Sequence, residues 1–401
     1  KIVFFMTKIS LFIFLLWLMV SCNNKISEKS LHIALLTDTF HFDPARTYDL
    51  SHNQINYQIY ETLLKYKKNG DRFELKPFLA ESMPEISADG KSYLFKIKKN
   101  IPYHPSSYLD KNQVVVARDF INAIKRVLLS DSQSQGKWLL EGVVQGADTW
   151  IKDIEKGADP WKTEISGLQE ISEDSFKIYL NYKKDSFIYF FAMLFSSPIP
   201  SKILDAKINL VDFFSKNEVG TGLYALDTFL FQTSTSLKKV PSHRDQALNN
   251  IESIKFLIMK EASTRWLSFK AKKISYIEIP KDSFSQVLKE DGTLIDEYAK
   301  LNFKLKIAPS YNSWWLSFNM NDPVWGKNVN IRKAIASAIN AKEMNKLFYN
   351  NTGIVAHDIF PAHLRKSNSK NEEEYSLELA KNFLEKAGYK DGKKLKPLIL
   401  D

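Results

Sequence analysis

Seven histidines and one cysteine are the side chains of this 401-residue sequence best suited to metal or nucleophilic chemistry. His32, His41, His52, His104, His243, His357 and His363 form no HxxxH pair and stand beside no cysteine cluster, so ordinary zinc spacing is unsupported. His41, His52 and His363 could still meet in a cleft. No serine sits in a G-x-S-x-G elbow, which removes the common hydrolase pattern. Gly220-Thr221-Gly222 would let backbone amides approach an anion, but it lacks the Lys-Ser/Thr of a phosphate loop and the third glycine of a dinucleotide site. It reads as a structural turn. No catalytic residue, metal or cofactor is expected.

Aromatic residues make up 13% of the chain, and most of them must fill cores. Trp138 and the doublet Trp314-Trp315 stand out, because an indole offers a broad apolar wall plus one donor to a ligand. If Trp314 to Phe318 is a strand, the two indoles face opposite sides, and Trp314 is the choice for the ligand side. The net charge of +10 rests mainly on lysine, with only eight arginines. Base and phosphate readers lean on arginine, so nucleic acid is not an expected partner; an anionic membrane surface suits the charge better.

The single cysteine follows an apolar run. Ile9 to Val20 reads ISLFIFLLWLMV after Lys8, too short for a comfortable transmembrane helix and of the form of a secretory signal, with Met6 as initiator. Met19-Val20-Ser21-Cys22 resembles the lipobox of bacterial lipoproteins, with Met19 in place of the usual leucine. That resemblance implies acylation of Cys22, a signal peptide over 1–21 and a polar tether over 22–30. With no second cysteine, no disulfide forms within the chain.

With 44% hydrophobic and 25% charged residues, the rest must fold as globular domains, two or three at this length. Leu31 to Thr37 reads as a buried strand ended by Phe42-Asp43-Pro44. Ser51 is expected to cap a helix carrying Ile55, Ile59 and Leu63 inward and Asn56, Gln58 and Glu61 outward. Asp89-Gly90 is a turn before an alternating strand at Tyr93 to Lys98. An amphipathic helix over Ala117 to Leu129, a strand over Phe176 to Leu180, an apolar run over Ile254 to Met259 and a helix over Glu261 to Phe269 follow. Ile331 to Phe348 reads as one helix, Leu377 to Ala387 as another closed by Gly388, and Leu398 to Asp401 as a strand. The mixture lacks strict βαβ alternation, so the expected class is α/β with mixed sheets.

Several segments resemble, in order, the extracytoplasmic solute-binding proteins of peptide ABC importers, solute-binding family 5. They are Phe42-Asp43-Pro44, Ile59-Tyr60-Glu61-Thr62-Leu63, Leu79-Ala80-Glu81-Ser82 with Asp89-Gly90-Lys91-Ser92-Tyr93, and Ala117-Arg118-Asp119-Phe120 running to Lys125-Arg126-Val127-Leu128. Val219-Gly220-Thr221-Gly222-Leu223-Tyr224 is similar to the family's VGTGPY, with leucine for proline. Ser317-Phe318-Asn319, Ile331-Arg332-Lys333-Ala334 and Ala387-Gly388-Tyr389 complete the series.

The resemblance implies a two-lobed periplasmic-binding-protein fold, type II-like, closing around its solute by a hinge. The first lobe would comprise 31–50 and 161–250, an inserted domain 51–160, and the second lobe 251–401, which stops short of the family's usual length. It further implies an oligopeptide, or a dipeptide, nickel or other small solute, captured between the lobes and delivered to a permease and ATPase complex. Such a receptor is a monomer on the extracytoplasmic side, lipid-anchored. A surface adhesive or signalling lipoprotein on the same scaffold is the alternative of another class. By carry-over, Thr47, Tyr48, Asp49 and Leu50 lie along the peptide and Trp138 falls near an aromatic of the inserted domain. Gly220, Thr221, Gly222, Tyr224, Asn319 and Arg332 are structural signatures.

Overall fold

The computed structural model describes residues 29–38, 41–70, 72–204, 208–248, 250–289, 292–308, 312–349, 351–356, 359–360, 375–390 and 393–394. They divide into two compact units, the first holding residues to Ile277 except 70–72, the second holding 70–72 and the chain from Glu278.

The first unit contains two four-stranded sheets. In one, β1 (Ser30–Leu35) runs parallel to β10 (Ser253–Ile258), followed by β9 (Ser234–Lys239) and β8 (Tyr224–Leu230) in antiparallel pairing. A parallel bridge from Ile33 to Tyr276 extends this sheet on the free side of β1. Alternation along these strands turns Leu237, Ile254 and Phe256 inward against Ile55 and Ile59 of α1 (Leu50–Ile59), so sheet and helix bury one apolar face together. The unit runs on to Ile277, and β10 is an inner strand of this sheet.

The second sheet has the order β4 (Glu85–Ile86), β5 (Ser92–Lys96), β7 (Ser175–Tyr179), β6 (Leu168–Ser172), all antiparallel. Phe95 faces Phe176 across β5 and β7, and Phe120 of α2 (Ala117–Leu128) stacks on Phe176 at 5.8 Å. Each such side chain contributes roughly 1.5–3 kcal/mol on full burial. The core around it reaches Phe191 and Phe195. β2 (Leu64–Asn69) and β3 (Arg72–Pro77) form a separate two-stranded ribbon.

The second unit is mainly helical. α3 (Val329–Ala338) packs against α5 (Leu377–Lys386) through Ile331, Ala334 and Ala380, and the Ser376 amide donates to the Ser337 carbonyl at 2.9 Å. The single helix expected over Ile331 to Phe348 is two, because Asn340 interrupts it. Its Oδ1 accepts the Glu343 amide at 2.9 Å and starts α4 (Ala341–Tyr349). Trp314 to Phe318 is not a strand. An extended segment becomes one only with a ladder partner, and none pairs with it among the described residues. Gly388 takes φ +89° just past α5, as the capping role requires. The expected strand at Leu398 to Asp401 lies outside the described residues, and among those described no helix is long and apolar enough to cross a membrane.

Candidate functional site

In open sheets that contain parallel strands, ligands bind outside the carboxyl ends of those strands, and β1 and β10 are the parallel pair here. In the first unit that position is the end of β1. There the chain continues through exposed Leu36 to Thr37, whose Oγ1 donates to Ser51 Oγ at 2.7 Å, and to Asp38, whose carboxylate accepts the Gln232 amide at 2.6 Å. The first bond ties the start of α1 to the site, and the second ties the turn between β8 and β9. Sequence reasoning missed Asp38, Ser51 and Gln232, since nothing in their spacing links positions 194 residues apart.

The expected ligand loop enters this place from a buried anchor. Asp43 Oδ1 accepts the Ala45 amide at 3.0 Å while Oδ2 accepts from Arg126 Nη2 at 2.8 Å and Nε at 3.2 Å, both side chains being fully buried. Burial pushes the Asp43 carboxyl above the usual carboxylate range, and the Arg126 guanidinium pulls it back. The Asp43 carbonyl accepts Thr47 Oγ1 at 3.0 Å, and Thr47 Oγ1 in turn accepts Asn56 Nδ2 at 2.6 Å.

Asp49 then caps α1, accepting the Ser51 and His52 amides at 3.0 and 3.1 Å, so the cap expected at Ser51 stands two residues earlier. Burial opposes its charge, but those amides and the His52 ring, with Nδ1 2.5 Å from Oδ2, hold the Asp49 carboxyl below its ordinary value. Of the four carried-over residues, Thr47 therefore faces inward and Asp49 is engaged with its own helix. Tyr48 and Leu50 are 66% and 72% exposed.

His41 stacks on His52 with centroids 4.5 Å apart. Burial, reinforced by His52 and Arg46, lowers the His41 pKa to about 3, so this imidazole is neutral in ordinary solution. His363 lies outside the described residues, and among those described no three His, Cys, Asp or Glu are placed to hold a metal ion.

Gly220-Thr221-Gly222 is built into the scaffold. The Gly222 amide donates to the Ile59 carbonyl at 2.8 Å and the Gly220 amide to Glu218, which leaves neither of these amides for an anion. Thr221 Oγ1 donates to Glu61 at 3.0 Å, and Arg244 donates to the same carboxylate. Glu61 and Asn56, expected on an exposed helix face, are buried: Glu61 lies past the end of α1, and Asn56 is turned toward Thr47. Tyr224 donates to the Ile251 carbonyl at 3.0 Å.

Close by, His104 contacts a Glu218 carboxylate oxygen through Nδ1 and the Gly222 carbonyl through Nε2, each at 2.8 Å. Both partners can accept, an arrangement that favours a proton on each ring nitrogen. Burial opposes that charge, but Glu218 and the carbonyl outweigh it and raise the His104 pKa.

The remaining candidates have local settings of their own. Trp138 is 66% exposed, with Lys184 Nζ 5.6 Å from its ring. Trp314 belongs to the second unit and is 82% exposed. Arg332 Nη1 donates to the Trp325 and Gly326 carbonyls at 2.5 and 2.8 Å, and Asn319 Oδ1 accepts the Asn321 amide at 3.1 Å, so both shape a local turn. Cys22 lies outside the described residues.

Residues 74–400 match the family model described as bacterial extracellular solute-binding proteins, family 5, middle. The chain is 24% identical over 357 residues to heme-binding protein A of Haemophilus influenzae, covering 88% of this chain and 60% of that protein. It is 23% identical over 354 residues to the dipeptide-binding protein of Escherichia coli, covering 88% and 61%. It thus spans about three fifths of these relatives' length. Among solved structures, the Escherichia coli murein tripeptide binding protein MppA superposes with a TM-score of 0.70 at 19% identity, over 92% of this chain and 68% of that one. DppA from Helicobacter pylori in complex with the peptide STSA gives 0.67 at 22% identity, over 90% and 66%. The fold is that of these binding proteins.

Proposed function

The chain belongs to the bacterial extracellular solute-binding proteins of family 5, and from that membership we propose that it is the substrate-binding component of an ABC importer for peptides. The observation that carries the reading is the loop ending in Tyr48 and Leu50, fixed from below by Asp43 and Asp49 and presented where β1 ends. Main-chain groups there would bind any peptide, with apolar side chains adding loose preference. No bond is made or broken; binding closes the lobes, and the permease and ATPase complex reads the closed form. In this reading the first unit is the first lobe with its extra domain, and the chain from Glu278 is part of the second. Acylation of Cys22 would hold the protein on the outer side of a membrane. One extra signal beyond a single chain makes such an anchor stable.

The full-length protein, purified without refolding and then denatured, should release short peptides identifiable by mass spectrometry. Tyr48→Ala/Leu50→Ala protein should release far fewer. A thermal shift with nickel and none with peptides would replace the peptide reading by the small-solute one. Membrane fractionation of Cys22→Ser tests the anchor: protein that stays with the membrane rules out lipidation at this cysteine.

A further inference from the structure

Two of the sequence segments singled out earlier, Phe42-Asp43-Pro44 and Lys125-Arg126-Val127-Leu128, meet in space 83 residues apart. Arg126 comes from α2, whose other side chains build the second core, whereas Asp43 begins the loop that leads to α1 and the first core. We infer that Arg126 is a positioning residue for ligand binding: it is itself fully buried, and it sets the conformation of the loop over 43–50 from the helix behind it. This inference rests on the peptide-binding reading for its functional consequence, though not for its structural one.

The chain of contacts is continuous. Arg126 uses Nε and Nη2 on Asp43 and Nη1 on Asp131 at 2.8 Å, so one planar group satisfies two carboxylates from fixed directions. Asp43 then holds the Ala45 amide, its carbonyl holds Thr47 Oγ1, and Thr47 holds Asn56 within α1. Before this segment, the Phe42 amide donates to the Phe214 carbonyl at 2.7 Å. Loss of the guanidinium would leave a carboxylate buried without its counter-charge, and the only way to hydrate it is to lift the loop. Tyr48 and Leu50 would move with it. Lysine cannot replace Arg126, since a single ammonium cannot span the two carboxylates in that fork.

Three variants of the full-length protein test this: Arg126→Lys, Arg126→Met and Asp43→Asn/Arg126→Met. The readouts are denaturation, hydrogen exchange of the amides over 44–50, and affinity for the peptide that copurifies with wild type. Arg126→Lys should fold, exchange faster over 44–50 and bind about tenfold more weakly or worse. The double variant should recover the stability lost by Arg126→Met, because no charge is left buried, while exchange stays fast and affinity stays low, because the two bonds by which Arg126 fixes residue 43 are still missing. Wild-type affinity in the double variant, or unchanged exchange over 44–50 in folded Arg126→Lys, overturns the inference. A wild type that retains no peptide overturns the peptide reading instead, and the exchange result still decides the role of Arg126.

Discussion

The Tyr103 hydroxyl donates to Oδ2 of Asp119 across 2.8 Å, and the Val116 amide donates to the same oxygen across 3.0 Å. Two donors do not offset the loss of water around this buried carboxyl, and burial raises its pKa to about 7. The unfolded chain, with an ordinary aspartate, gives up its proton first. Stability from this group is therefore full below pH 4 and falls as the pH rises to about 7, beyond which the deficit is constant. Asp119→Asn keeps an acceptor for both donors and cannot ionise. Urea unfolding of wild type and variant at pH 4.5 and 8 should show the variant gaining on wild type by on the order of a few kcal/mol. A difference independent of pH would mean that Asp119 titrates normally.

His104 titrates in the same direction over a higher range. Its pKa is raised, so the stability it contributes is complete below the ordinary histidine value and is lost as the pH rises through the folded value. Glutamine at this position can donate to Glu218 or to the Gly222 carbonyl but not to both. His104→Gln should cost ~1–3 kcal/mol at pH 6 and less at pH 9. Equal losses at the two pH values would refute an imidazolium here.

Backbone approach makes a third case. A Cβ on Gly220 would stand 2.1 Å from the Ile59 carbonyl oxygen, whereas one on Gly142 meets nothing within 4 Å. Gly142 has φ +69°, so alanine there brings conformational strain without a clash. Gly142→Ala should lower stability by ~1 kcal/mol and Gly220→Ala by more than ~2 kcal/mol, read from paired melting curves. The reverse order would show that the Gly220 loop can yield.

Tyr48 and Leu50 separate binding from folding. Both are largely exposed, so Tyr48→Ala and Leu50→Ala should each change stability by less than ~0.5 kcal/mol while lowering peptide affinity several-fold. Titration calorimetry with the copurified peptide measures the second effect. Unaltered affinity in both would remove the loop from the binding surface.

Apolar periodicity made the helices at Ala117 and Leu377 and the strands at Tyr93, Phe176 and Ile254 legible, although only in the strands does burial follow the spacing of the element: the first helix is buried on nearly every face and the second buries Ala380 alone. Glu61 and Asn56 were read outward for the same reason. A polar residue carries no mark of the buried partner that a distant segment brings to it, Thr221 and Arg244 in one case and Thr47 in the other. Trp314 to Phe318 has strand composition, but a strand also needs a neighbour, which composition does not contain. The loop over 47–50 was locatable from its resemblance, while the inward turn of Thr47 was not, since Asp43 and Asn56 impose it from either side.

The parallel pairing of β1 with β10 joins Ser30 to Ser253, 223 residues later. During synthesis the first strand therefore emerges long before its partner exists. At about 5–20 residues per second the delay is on the order of 10–45 s. Throughout that interval β1 has an open edge and half of its core is missing, so the sheet that carries the candidate site can close only late in the life of the nascent chain. The antiparallel sheet, complete by Tyr179, can form first and offer Arg126 to a loop that arrived earlier but had nothing to fold upon. A protein assembled in that order stays open to unfolding-dependent export and to chaperones for most of its synthesis.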